Sequence, residues 1–185
     1  MEQYTDLDLV AQTRAGTRMA FDELMRRHER MVYRICFSYT RDPEEAMDVT
    51  QEVFLRAYDR LGTFRGSGTF RSWVLRITHR ANLSRLRARR PEFSKPMAED
   101  SPPAVPANQE RDLLGGERSR RLAEAMMELK PKQRLAVSLR YYEELPIREI
   151  AAVLESSEGT TRNLLCRSLQ KLRQRLVVPL GEERA

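Results

Sequence analysis

Between residues 91 and 117 the chain abandons helical patterning. The run PEFSKPMAEDSPPAVPANQERDLLGG (91–116) carries five of the chain's nine prolines, ends in a glycine pair and has little apolar periodicity. Proline lacks a backbone donor and disfavours helix at the residue before it, so regular structure does not run through such a stretch. It reads as an acidic interdomain linker, extended where it is richest in proline. A chain of 185 residues divided in this way holds two small domains, 1–90 and 118–180, around the linker 91–117.

Charge follows the same division. Residues 1–90 carry 17 basic and 12 acidic side chains, residues 91–117 carry 2 and 6, and residues 118–185 carry 14 and 9. Two basic blocks separated by an acidic segment point to two modules that each face a polyanion. Apolar residues at 41% and charged residues at 32% fit soluble, helix-rich protein. No apolar run approaches a membrane span, and the start MEQYTDLDLV has no apolar signal core. The expected location is therefore the cytoplasm, with no stable membrane insertion. Cys36 and Cys166 match neither a metal-ligand spacing nor a disulfide framework, so both are expected to be reduced.

Both blocks read as helices. In the first, Phe21, Leu24, Met25, Val32, Ile35, Cys36 and Tyr39 recur at helical spacing, as on an amphipathic pair facing a core. Cys36 lies in that stripe and reads as a small buried hydrophobe; His28, among arginines, reads as surface. The run RDPEEAMDVTQEVFLRAYDRL has a marked helix start: Asp42 as N-cap, Pro43 at the first position, and Glu44 and Glu45 at the positive end of the dipole, with Glu45 completing a capping box. Ala46, Val49, Val53, Phe54 and Ala57 can face inward. Asp48, Gln51, Glu52 and Arg56 then form an outer acid-amide face, which spacing alone reads as solvated surface.

From Arg60 to Arg90 there are nine arginines and no acidic residue, with Phe64, Phe70 and Trp73 at the front end. Guanidinium groups pair with phosphates and stack on bases, and aromatic faces accept an unstacked base. Taken alone, the stretch reads equally as a nucleic-acid surface or as a solvated basic helix with a buried aromatic end. Gly62, Gly66, Ser67 and Gly68 make a flexible loop, and Thr69 or Ser72 can cap the helix that follows. On that helix Phe70, Trp73, Val74, Ile77 and Ala81 share a face, so Trp73 is expected chiefly to brace the core. Arg76, Arg80 and Arg87 cluster on one flank, with Arg71, Arg85 and Arg89 on another; His79 reads as surface.

In the second block Leu122, Ala125, Met126 and Leu129 form a stripe beginning near Arg118, and Leu135, Val137, Leu139 and Tyr142 form another. A short helix from Ile147 to about Leu154, a turn of three or four residues, and a second helix capped by Ser157 make helix-turn-helix spacing. Leu165, Leu169, Leu172 and Leu176 are expected to face inward. Arg162, Asn163, Cys166, Arg167, Gln170 and Lys171 lie off that stripe, with donors suited to base edges and phosphates. A plain helical hairpin is the competing reading.

These motifs together resemble the extracytoplasmic-function (ECF) group of bacterial RNA polymerase sigma factors. AFDELMRRHERMVYRIC, DPEEAMDVTQEVFLRAY and FRGSGTFRSWVLRITHRAN are similar to that family's first conserved domain. LKPKQRLAVSLRYYEELPIREIAAVLESSEGTTRNLLCRSLQKLRQRL is similar to its second. The resemblance implies an all-α protein of two small helical domains on a flexible linker, the second containing the helix-turn-helix. It also implies a factor that binds core RNA polymerase, directs it to promoters and helps open the −10 region. On this reading Asp48, Gln51, Glu52 and Phe54 dock on the clamp helices of the polymerase largest subunit, the flap being a second contact. Phe64, Arg65, Ser67, Arg71, Arg76 and Arg80 hold the single-stranded −10 element, where a base leaves the stack and the loop receives it. Thr160, Arg162, Asn163, Cys166, Arg167 and Lys171 read the −35 duplex. An anti-sigma factor is implied by resemblance alone, as is the linker's path toward the active-site channel.

The pattern departs from the family's in places. Glu144 and Glu155 stand where glycine is frequent, Pro146 where serine is, and Arg80 and Ser84 where asparagine and aspartate are. Leu164 replaces a commonly basic residue, and Cys166 a larger polar or aromatic one. A side chain at positive φ is disfavoured, so Glu155 leads us to expect an altered turn. A stand-alone DNA-binding regulator would explain the second block but leave Arg60–Arg90 and the linker idle. An enzyme on nucleic acid lacks support in the sequence: there is no metal-binding cluster and no phosphate-cradling glycine loop before a strand, so no catalytic residue, metal or cofactor is expected.

Overall fold

The computed structural model describes residues 4–66, 68–88 and 116–176, so the linker lies outside the described residues except at its helical end. Those residues form eight α-helices and a single 3₁₀ turn, without a strand. They are α1 (Asp6–Arg14), α2 (Arg18–Thr40), α3 (Pro43–Asp59), the 3₁₀ turn (Leu61–Thr63), α4 (Phe70–Ala88), α5 (Gly116–Met127), α6 (Pro131–Tyr141), α7 (Ile147–Val153) and α8 (Glu158–Leu176). The chain divides into two compact units, one built on α1–α4 and one on α5, α6 and α8, with the division cutting α7 after Ile150. Helix α5 starts at Gly116, two residues before the expected domain start, so one of the linker's glycines belongs to a helix.

In the first unit, α2, α3 and α4 pack on one another and α1 packs on α2. The helix starts follow from the capping chemistry. Thr5 and Asp8 form a reciprocal capping box on α1. Asp42 accepts from the Glu45 amide at 2.8 Å, with Pro43 at the start of α3, and Thr69 accepts from the Ser72 amide at 3.1 Å ahead of α4. The core contains Leu24, Val32, Ile35 and Cys36 from α2, Ala46, Val49, Val53 and Ala57 from α3, and Phe70, Val74, Ile77 and Ala81 from α4. Met25 is exposed instead, and Met31 takes an inward position that the stripe omitted.

Two histidines read as surface are buried. His28 Nε2 lies 2.7 Å from Asp6 Oδ2, and its ring sits 5.3 Å from that of Phe70. His79 is 2% exposed, and its Nδ1 lies 2.8 Å from the Tyr39 hydroxyl. The reason is that α2 and α3 both pack on α4, so α4 buries far more than one stripe: Ser72, Thr78, His79 and Asn82 all lie inside with its apolar residues. Asn82 donates to the Thr78 carbonyl at 2.9 Å and to Cys36 Sγ at 3.5 Å. On the surface, hydrogen bonds from Arg26 and then Arg27 hold the Glu23 carboxyl down at about 2. Its depressed pKa contributes stability above the ordinary carboxylate range, and that contribution is lost as pH falls toward 2.

Burial pushes the Cys36 thiol up from its ordinary value, whereas Cys166 is exposed on α8. Thiolate is the reactive form, so the two cysteines differ in reach and in chemistry. A disulfide-exchange reagent at neutral pH should therefore modify one thiol of the native protein quickly and the second only after denaturation. Rapid modification of both would contradict the buried placement of Cys36.

In the second unit, α8 packs on α5 and α6. Pro131 opens α6, where the Lys130 amide donates to Gln133 Oε1 at 3.2 Å. Leu129, Leu135, Val137, Leu139 and Ile150 are buried, while Leu122 and Tyr142 are exposed. The inward stripe of α8 is Thr161, Leu165, Ser168 and Leu172. Leu169 is 37% exposed and Leu176 is exposed too, so the expected leucine face is corrected by about a ninth of a turn. Small polar residues fill the inner positions because their hydroxyls bond within the helix, as Ser168 does to the Leu164 carbonyl at 2.6 Å.

Glu144 and Glu155 both have left-handed backbone, with φ of 54° and 50°. The altered turn expected at Glu155 is not found: positive φ is kept, and the side chains are carried in the conformation that glycine favours. Relief of that conformation is worth roughly 1–2 kcal/mol, offset by the roughly 0.5–1 kcal/mol that glycine's unfolded freedom costs. Glu144→Gly, at an exposed position, should thus raise stability by about 0.5–1 kcal/mol in chemical denaturation. A destabilised variant would refute it.

Candidate nucleic-acid interface

The outer face of α3 exposes Asp48 and Gln51. Glu52 is only half-exposed, paired with Arg56 on its own helix and 3.7 Å from Arg85 of α4. Glu45 reaches the same arginine at 3.5 Å. Phe54, named with these three as a docking residue, is 4% exposed and sits in the core. In this conformation it shapes the face from below.

Past α3 the 3₁₀ turn leads into an aromatic cluster. Phe64 is 5% exposed, with its ring 6.0 Å from Phe70 at 89° and 5.5 Å from Trp73, and Phe70 and Trp73 are 5.5 Å apart. Edge-to-face contacts of this kind suit aromatic quadrupoles. Trp73 therefore braces the core as expected. Phe64 does the same, and its ring is not presented for stacking on a base. Beyond it Arg65 is exposed, Gly66 has φ of 70°, and Ser67 lies outside the described residues. Along α4, Arg80 is exposed, and Arg71 and Arg76 are half-exposed. Arg71 Nε donates to Met31 Sδ at 3.4 Å. Arg76 and Arg80, four residues apart, project from the same side of the helix.

In the second unit every residue expected to read duplex is exposed: Thr160, Arg162, Asn163, Cys166, Arg167 and Lys171. Thr160, Asn163, Arg167 and Lys171 follow i, i+3, i+4 spacing and make one stripe opposite the buried Leu165 and Leu172. Arg162 and Cys166 flank it, with Arg162 paired to Glu158 at 3.1 Å. Ser157 accepts from the Thr160 amide at 3.1 Å, which fixes the start of this helix. The arrangement suits donors held at the start of a helix that enters a groove, with cations farther along for phosphates.

Residues 24–92 match the Sigma-70 region 2 family and residues 119–172 match Sigma-70 region 4. The chain is 31% identical to the RNA polymerase sigma-H factor of Pseudomonas aeruginosa, an alignment covering 98% of this chain and 99% of the relative. It is 32% identical to the ECF RNA polymerase sigma factor SigM of Mycobacterium tuberculosis, over 91% and 83% of the two chains. The chain belongs to the ECF sigma factors.

Solved structures agree on the fold of this sigma factor. The sigma factor RpoE of Bartonella quintana, in complex with the anti-sigma factor NepR, superposes with a TM-score of 0.70 at 18% identity, over 86% of this chain and 98% of that one. CnrH, in complex with the cytosolic domain of CnrY, gives 0.68 at 24%, over 91% and 95%. As a sigma factor the protein is a transcription initiation factor that directs polymerase to promoters. No described helix is long and apolar enough to cross a membrane. Among the described residues no group of three or more His, Cys, Asp or Glu is placed to hold a metal.

Two arginines that tie down the elements carrying these residues escaped the sequence reading. Arg14 donates to the carbonyls of Leu61 and Phe64, at the stem of the loop. Arg134 donates to the carbonyls of Met126, Met127 and Leu129 at the end of α5. No local pattern could have found Arg14, whose acceptors are 47 and 50 residues away. Arg134 follows a helix end closely enough that carbonyl capping by a cation could have been considered.

Proposed function

We propose that this sigma factor works through two separate DNA-facing helices, with polymerase docked on a third. Domain 1–90 binds core polymerase through Asp48, Gln51 and Glu52 on the clamp helices. Its loop at Arg65 and Ser67, with Arg71, Arg76 and Arg80, holds the opened −10 strand. Domain 118–180 reads the −35 duplex through Thr160, Arg162, Asn163, Cys166, Arg167 and Lys171 and meets the flap, and 91–117 links the two. The protein acts in the cytoplasm, catalyses no reaction of its own, and is restrained by an anti-sigma factor. The observation that carries this reading is the exposed stripe Thr160–Asn163–Arg167–Lys171 on α8, in a chain whose other unit mounts arginines along α4.

The test is reconstitution with core polymerase. Co-elution and transcripts from specific start sites are the expected result, and mapping those starts defines the promoter. A stand-alone regulator would bind duplex DNA without either outcome. Asp48→Ala with Gln51→Ala should weaken polymerase binding by about tenfold, the size of a contact worth roughly 1.4 kcal/mol. Unchanged affinity would remove this face from the interface. Glu52 is a poorer choice for this experiment, because its removal also cuts the tie to Arg85.

A further inference from the structure

We propose that Arg14 is a positioning residue for strand reading: it fixes the stem from which the loop beginning at Arg65 departs. The inference rests on the reading of that loop given above. Arg14 is the last residue of α1, and its Nη2 donates to the Leu61 carbonyl at 2.7 Å and to the Phe64 carbonyl. The Leu61 carbonyl also accepts from the Phe64 amide at 3.1 Å, closing the 3₁₀ turn. One guanidinium thus grips both ends of a single turn, while the Leu61 and Phe64 side chains are buried beneath it. Three contacts hold this stem: a buried ring, a backbone bond and a forked pair of bonds from one guanidinium nitrogen of Arg14.

The fork is itself anchored. Helix α1 is fastened at its other end by Asp6, which lies 2.7 Å from His28 and 3.2 Å from Arg27, and by the Tyr4 carbonyl, which accepts from Arg27 at 2.8 Å. The helix therefore acts as a splint between the middle of α2 and the loop stem. A planar arginine can hold two carbonyls in a fixed relation, whereas lysine offers a point charge on a flexible stem. Just beyond the stem, Arg65 is exposed and Gly66 adopts left-handed backbone. With the stem released, these residues keep their chemistry but lose their direction, and a receiving loop misplaced by about 1 Å can lose on the order of a hundredfold.

The experiment uses holoenzyme and a single-stranded −10 oligonucleotide from a mapped promoter, against the same strand with its −10 bases substituted. Arg14→Ala should cut discrimination between the two strands by about five- to tenfold, and Arg14→Lys should restore part of it. Core polymerase affinity and −35 duplex binding should stay at the parent's values. The salt dependence of oligonucleotide binding should not change, because Arg14 touches carbonyls and not phosphates; a direct phosphate contact would flatten the log–log slope by about 0.7. Undiminished discrimination, a flattened slope, or a parallel loss of polymerase affinity would each overturn the assignment. If the double variant Arg76→Ala, Arg80→Ala leaves both the affinity for the −10 oligonucleotide and its salt dependence at the parent's values, the strand-holding reading itself falls and the positioning role falls with it. If only Arg14→Ala is silent, strand holding stands and the positioning role alone is wrong.

Discussion

Replacing Arg76 and Arg80 together by alanine should lower promoter opening by between about tenfold and a hundredfold while leaving core polymerase binding intact. Hydrogen bonds to charged partners are worth roughly 1.5–3 kcal/mol each, and solvent screening reduces that at exposed positions. Two such contacts at about 1 kcal/mol apiece or somewhat more give the stated range. Both side chains stand on α4, whose opposite faces are buried, so their removal should not disturb the α3 face proposed to meet polymerase. Permanganate reactivity of unpaired thymines in the −10 region reports opening, and gel filtration with core reports assembly. Losing two phosphate contacts should also flatten the salt dependence of single-strand binding by about 1.4. A double variant that opens promoters at the parent's rate would exclude these arginines from strand holding.

Arg134→Ala should cost about 3 kcal/mol or more in the stability of the second unit. The side chain is 4% exposed and reaches three carbonyls at 2.9–3.0 Å. The Met126 carbonyl keeps the Leu129 amide at 3.3 Å when the arginine is gone, but the part-buried Met127 and the buried Leu129 carbonyls each lose a charged donor. Lost packing of the aliphatic stem adds to the cost. Because the chain has two units, denaturation should be followed with a probe in each, and only the second transition should move. Arg134→Lys should recover a minor part. A shift below about 1 kcal/mol would mean that the carbonyls find other partners at little expense. The DNA-reading consequence is indirect, since α8 rests on the α5 and α6 surfaces that this arginine ties together.

Much of the fold was legible because it depends on local chemistry. Asp42–Pro43, Thr69 and Ser157 announce helix starts by their side chains alone, and each accepts the bond or fills the position expected of it. The apolar stripes of α3 and the front of α4 follow from periodicity. What failed follows from neighbours that a local pattern does not contain. His79 is flanked by polar and basic residues, yet it is buried because two helices cover α4 rather than one. The α8 stripe was centred on leucines, but Thr161 and Ser168 take the inner positions, since hydroxyls that bond within a helix cost little to bury there. Site residues divided in the same way. The set on α8 proposed to read duplex emerges whole as an exposed surface, because exposure opposite a stripe is periodic. Phe54 and Phe64 do not, because resemblance identifies a position without saying which way its ring turns. Arg14 could be found only once the chain was folded.

The hydrogen bond between Tyr39 and His79 also sets a distance between working surfaces. It joins α2 to α4 inside the core, at 2.8 Å. Sliding one helix past the other by a turn, about 5.4 Å, would separate the pair and lose a buried hydrogen bond, at roughly 0.5–1.5 kcal/mol. Apolar contacts alone would resist such a slip less, since one aliphatic neighbour can substitute for another. Helix α4 carries the arginines proposed to hold the strand, and α3, packed on both α2 and α4, carries the face proposed to meet polymerase. On the proposed function, the buried pair thus acts as a ruler that fixes the separation between the polymerase face and the strand-holding face.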